Sequence, residues 1–148
     1  MGTSAARRTT RPSPPHELIL PCFATLMRAY YGAELFLFGS RARGTASPES
    51  DYDLLAVAPG FYGVPSEQRA LDARRLWRAA GGWGIALDLH CLSPDEFDGA
   101  RREAASLVGQ WHQQGELLPI EPINDQSEVE RMLTLARDRG VPAGIVVT

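Results

Sequence analysis

Asp51-Tyr52-Asp53 opens an apolar run that continues to Val57, and an earlier apolar run, Glu34 to Phe38, ends in Gly39-Ser40. In a β-strand successive side chains alternate faces, so Asp51 and Asp53 share one side and Tyr52 takes the other. Two carboxylates held that close repel unless a cation lies between them, and hard oxygen donors of this kind suit Mg²⁺. Gly39 lets the backbone approach a ligand with no Cβ in the way. Ser40 and its neighbouring amides can open a short helix whose N-terminus favours phosphate. Either half alone is weak, since Asp-x-Asp is most often a solvated turn or cap and Gly-Ser most often a plain turn. The order carries the information: strand, Gly-Ser, ten residues, Asp-x-Asp, strand.

A further carboxylate, Asp88, falls inside Gly84 to Leu92, a run that reads as a third strand. Burying an unpaired charge there costs on the order of several kcal/mol, so something must pair it, and a cation would. His90 is two residues on and shares the face of Asp88. A strand-end histidine bonded to backbone or water is commoner than one that meets substrate.

This pattern resembles the polymerase-beta-like nucleotidyltransferase superfamily, which shows an apolar residue, Gly, Gly or Ser, a spacer of about this length, then Asp-x-Asp/Glu. Gly39-Ser40-Arg41-Ala42-Arg43-Gly44, Ser50-Asp51-Tyr52-Asp53-Leu54 and the segment Trp111 to Leu118 are similar to the minimal nucleotidyltransferase (MNT) branch. The resemblance spans roughly Leu18 to Leu118. Its specific motifs are confined to Phe38–Leu55 and Asp88.

What the resemblance implies is a transfer of a nucleoside monophosphate, AMP from ATP, to a hydroxyl, with two Mg²⁺ ions at the reacting oxygens. Asp51 and Asp53 would hold both ions, and Asp88 would complete the site of the catalytic one beside the acceptor hydroxyl. Gly39 and Ser40 would hold the β- and γ-phosphates. Arg41 or Arg43 would neutralise the triphosphate, with a structural pairing to Glu49 or Asp51 about as common for either. Many members of the minimal branch are antitoxins encoded beside a HEPN-domain RNase toxin, which they silence by adenylylating a tyrosine. A HEPN-type toxin is therefore the implied protein acceptor. Two alternatives stay open: a small-molecule acceptor such as an aminoglycoside, whose relatives usually carry an additional helical domain, and a non-catalytic module that sequesters a partner.

The elements that must position these residues belong to a chain of 148 residues and 16.2 kDa, enough for one domain with a real core. A net charge of −3 and a pI near 5.6 give no general basic field, so no general nucleic-acid binding is expected. No apolar run is long enough to span a membrane and no secretory signal is seen, which leads us to expect a cytoplasmic protein. All 15 basic residues are arginine. Chemistry that needs a lysine, a Walker-type phosphate loop or a lysyl-adenylate, is excluded. Cys22 and Cys91 lack the spacing of a zinc site and read as small buried hydrophobes.

The expected fold is α/β (α+β), a small mixed nucleotidyltransferase sheet flanked by helices with a short C-terminal helical extension. Residues 1–15 read as a disordered tail, 16–119 as the nucleotidyltransferase domain and 120–148 as the extension. An amphipathic helix starts near His16, meets Pro21 early and ends at Gly32. Ser40 to Gly44 reads as one helical turn, Thr45 to Ser50 as loop, and Pro59 to Pro65 as a connection in which Phe61 or Tyr62 fills a gap or, less commonly, meets a base. Glu67 to Ala80 reads as a helix with Leu71, Leu76 and Trp77 inward and Arg69, Arg74, Arg75 and Arg78 exposed, a solvated face more often than an acidic-partner surface. Ser93-Pro94-Asp95-Glu96 is a capping box for a helix running to Gln114 with a break near Gly99. His112 reads as a surface residue. Pro119 to Asp125 reads as a linker, and Ser127 to Glu130 as the capping box of a last helix that ends at Gly140, with Val129, Met132, Leu133 and Ala136 on one face. Val141 to Thr148 reads as an apolar tail.

Overall fold

The computed structural model describes residues 16–141; the expectations for residues 1–15 and for the tail beyond Val141 lie outside the described residues. In chain order the elements are α1 (His16–Tyr31), β1 (Glu34–Phe38), α2 (Gly39–Arg43), β2 (Tyr52–Val57), a 3-10 turn (Pro59–Phe61), α3 (Ser66–Ala79), β3 (Leu87–Leu92), α4 (Pro94–Arg102), α5 (Leu107–Gln113), β4 (Leu118–Ile120) and α6 (Gln126–Asp138). The strands form one mixed sheet in the order β3-β2-β1-β4. β1 is antiparallel to both β2 and β4, and β2 is parallel to β3. The expected mixed sheet flanked by helices is what the chain forms.

Period-2 alternation sends each strand's side chains to two different layers. Leu35, Tyr52, Leu54, Ala56, Leu87 and Leu89 join the larger core with Ile19, Phe23, Leu26 and Met27 of α1 and Leu76 and Trp77 of α3. Phe36, Phe38, Leu55, Val57 and Leu92 face the other way and pack with Phe97, Val108 and Trp111 of the α4–α5 pair. Pro21 sits inside α1, and the Thr25 hydroxyl one turn later donates to the Pro21 carbonyl at 2.8 Å while accepting from the Ile123 amide at 2.9 Å.

Several expectations need correction. Residues two apart on a helix point about 200° away from each other. In α3 it is Arg69 that turns inward, 7% exposed, and Leu71 outward, 60% exposed. Arg69 is tolerated inside because its guanidinium donates to Val64 O at 2.7 Å, Cys91 O at 3.2 Å and Glu96 Oε1 at 2.5 Å. The Ser93 capping box forms as expected, but the helix runs through Gly99 and breaks after Arg102. Ser106 caps α5 there, and a Cβ on Gly109 would overlap Glu103 O, so Gly109 makes the corner possible. The third strand begins at Leu87 rather than Gly84, and Phe61 is fully buried against Tyr31 and α1. Asp125, not Ser127, caps α6.

The supposed linker contains a strand. Leu118–Ile120 pairs with Leu35–Leu37, and Pro119, which has no amide to donate, is admitted because β4 lies at the sheet edge. α6 then returns to the same body. Ala136 and Val141 are buried in the larger core, Met132 and Leu133 pack against it, and Arg139 donates to Ala79 O at 2.7 Å. A boundary at 119/120 would cut through β4. Among the described residues no helix is long and apolar enough to cross a membrane.

Candidate active site

β2 and β3 run parallel with Asp53 directly beside Asp88, and Asp51 immediately precedes β2. Alternation places Asp53, Leu55 and Val57 of β2, and Asp88, His90 and Leu92 of β3, on the face toward α4 and α5. Leu55, Val57 and Leu92 are packed under the helices, Asp53 and Asp88 lie side by side toward the start of the two strands, and His90, level with Leu55, borders Trp111. Tyr52 points the opposite way into the larger core. The register also pairs Phe38 with Asp53, so the end of β1 delivers Gly39 to the carboxylate. Gly39 has φ +75°, and a Cβ there would overlap Asp53 Oδ2. Only glycine meets both demands.

The three carboxylates feel one another. Burial pushes the Asp53 carboxyl above its ordinary range, the charges of Asp88 and then Asp51 push it further, and His90 and Arg43 pull it back. The donor set is hard oxygen, crowded and short of positive charge, which fits Mg²⁺ in kind. Among the described residues no three His, Cys, Asp or Glu side chains already converge on a point.

Asp88 is not the buried charge that its apolar strand suggests. It is the second residue of an edge strand, and its side chain is 58% exposed. Burial therefore does not call for a cation at Asp88; its place in register beside Asp53 does.

Arg41 and Arg43 differ in what they do. Arg41 donates to Ser50 O at 2.7 Å and Pro48 O at 3.3 Å and lies over the Tyr52 ring at 4.1 Å, so it clamps the loop that leads into Asp51. Its partners are loop carbonyls, not Glu49 or Asp51. Arg43 pairs with Glu116 at 2.8 Å while half exposed, and its charge reaches Asp53. Ser40 lies in the first turn of α2, which has no side-chain cap and no acidic residue. That leaves the turn's amides uncapped by any side chain.

An aromatic border lines this site. Trp111 stacks on Phe38 with ring centroids 3.7 Å apart, and the His90 ring lies 5.7 Å from Phe38 and 5.4 Å from Trp111. His90 Nε2 stands 3.5 Å from Asp88 Oδ2. The i+2 spacing from Asp88 was the available signal for His90; for Trp111 it was the resemblance of the segment Trp111 to Leu118, which gives that ring no role at the site. Cys22 and Cys91 are half-buried free thiols away from this cluster, the Cys91 thiol pushed by burial up to about 12.

Residues 22–123 match the nucleotidyltransferase domain family. Among solved structures, the chain is similar to a crystal structure of a putative nucleotidyltransferase from Sulfolobus solfataricus. The two are 26% identical over 57% of this chain and 68% of that one, with a TM-score of 0.40. No curated protein matches.

Proposed function

The chain belongs to the nucleotidyltransferase domain family, and we propose that it moves AMP from ATP to a hydroxyl on a partner protein, with Asp51, Asp53 and Asp88 as the reacting centre. The observation that supports this most is the backbone register, which sets Asp53 beside Asp88 and Gly39 against Asp53. Mg²⁺ held by Asp51, Asp53 and Asp88 would supply charge stabilisation at the entering and leaving oxygens.

The rest is done by this chain's own groups. Gly39 and Ser40, at the uncapped start of α2, offer backbone donors to the β- and γ-phosphates. Arg43, half exposed, is the better placed of the two arginines to swing to the triphosphate, while Arg41 holds the Asp51 loop in position. Asp88, exposed on the edge strand, receives or orients the acceptor proton. By its resemblance to the minimal branch, the acceptor is a tyrosine on a HEPN-type toxin and the protein its antitoxin.

The test is to isolate the chain with whatever protein co-purifies, add ATP and Mg²⁺, and weigh the partner. A gain of one AMP, absent for Asp53→Asn, supports the reading. Modification of an added aminoglycoside instead, or a tightly bound partner whose mass stays fixed, would replace it with one of the two alternatives.

A further inference from the structure

The outward face of α3 has no role in the chemistry above. Leu71, Arg74, Arg75 and Arg78 recur at i, i+3, i+4 and i+7 and so lie along one side of the helix. Leu71 at its start is 60% exposed, and just past its end Trp83 is 70% exposed. Arg74 donates to Leu87 O at 3.1 Å, and among the described residues neither Arg75 nor Arg78 has a carboxylate within ion-pair distance.

Trp83 is held out rather than left loose. It tops a turn whose Gly82 amide donates to Trp77 O at 2.9 Å and whose Ile85 amide donates to Gly82 O at 3.0 Å. The Trp77 indole N–H donates to Ile85 O at 3.2 Å. Gly82 lies so close to the Trp77 ring that a Cβ would overlap it. Arg78 sits over the exposed indole at 5.4 Å, and a hollow of about 230 Å³ opens between Arg74, Trp77, Arg78, Trp83 and Ile85. A pinned turn that leaves a large aromatic ring in water, beside arginines with no counter-charge, has the composition of an interface centre.

We propose that this face docks an acidic segment of a partner protein, with carboxylates on Arg75 and Arg78 and an apolar residue at each end, against Leu71 and against Trp83. Leu71 to Arg78 spans roughly 10 Å of helix, about three residues of an extended peptide. A nucleic acid fits less well. Three arginines, one of them bonded to Leu87 O, make too short a track for a phosphate backbone.

The test uses the described protein with its tails and no nucleotide, so that its failure is separate from any failure of the transfer reaction. The probe is a short fluorescein-labelled peptide of glutamates flanked by leucines, followed by anisotropy. Wild type is expected to bind it, more weakly as salt rises, and both Trp83→Ala and the pair Arg75→Glu with Arg78→Glu are expected to weaken binding about tenfold or more. Melting temperatures should stay near wild type, because these side chains lie at the surface. Three results would overturn the proposal: no binding of the peptide or binding that the variants leave unchanged; tighter binding of oligothymidylate that the same substitutions abolish; or self-association that Trp83→Ala removes, which would make the occupant a second copy of the chain.

Discussion

At the scale of single residues, the charge on Asp53 is the quantity from which most follows. Its carboxyl is held above the ordinary value of 3.8 by burial first and by Asp88 and Asp51 next. A raised carboxyl means that ionisation costs the folded state something it does not cost the unfolded one. The cost is absent below the unfolded value and complete once pH has risen through the folded one. Without metal, Asp53→Asn should therefore be more stable than wild type at neutral pH, the gap closing as pH falls toward about 3.8. Urea melts across that range check it, and in the same variant transfer should fall roughly 100-fold or more, equivalent to several kcal/mol of lost stabilisation. Gly39→Ala should act with the opposite sign on stability, lowering it by about 1–3 kcal/mol, because both φ and space are wrong for a side chain. Thermal melts of the purified variant decide it. Asp51, Asp53 and Gly39 were legible in the sequence because their relation is set by spacing along two adjacent strands. The border of Phe38, His90 and Trp111 was not, because it exists only when α5 folds back over the sheet.

Among elements, α3 shows where periodicity misleads. Its apolar positions do not tell which of Arg69 and Leu71 turns inward, since an arginine that finds three acceptors can fill a buried position as well as a leucine can. Arg69→Met keeps the bulk and removes the donors, leaving Val64 O and Cys91 O without their partner. A loss of about 2–3 kcal/mol is expected in chemical denaturation. The acid limb adds a second readout. Glu96 is held below its ordinary value first by the hydrogen bond from Arg69 and then by the Ser93 amide, so its contribution is present above 4.5 and lost as pH falls through the lowered folded value. In Arg69→Met that acid-dependent loss should shrink. The capping box of α4 was legible because Ser93, Pro94 and Glu96 are local, and so were β1 and β2, whose bounds follow the apolar runs. β4 was hidden by its three-residue length and by Pro119, which argues against a strand everywhere except at an edge.

For the molecule as a whole, the C-terminal elements decide whether the carboxylates have a platform. Every assigned site residue lies upstream of Pro119, which by itself would let a chain ending there keep nucleotide binding. The packing says otherwise. Such a chain would lose Ile120, Met132, Leu133, Ala136 and Val141 from the larger core. At about 1.5–3 kcal/mol for a fully buried large apolar side chain, and less for alanine and for the partly buried Ile120, Met132 and Leu133, the sum is a large share of the roughly 5–15 kcal/mol by which a whole domain is stable. Truncation there should give insoluble or unfolded protein rather than a nucleotide binder, as circular dichroism of the refolded fragment would show. The fold class was legible through the short apolar runs, the amphipathic helices and the family resemblance carried by Phe38–Leu55. That α6 closes the same core was not, because an apolar helix face does not name what it covers.

The pairing of β1 with β4 also bears on how the chain is made. Leu35–Leu37 bonds to Leu118–Ile120, so the two partners leave the ribosome more than eighty residues apart. Until the later one emerges, an apolar strand keeps a row of free amides and carbonyls along its outer edge, a template for any other extended chain. During that interval the nascent protein is most exposed to mispairing and most in need of a chaperone. Ribosome-bound chains arrested with residues up to Gly115 outside the exit should associate with trigger-type chaperones or with one another, and chains with Gly140 outside should not.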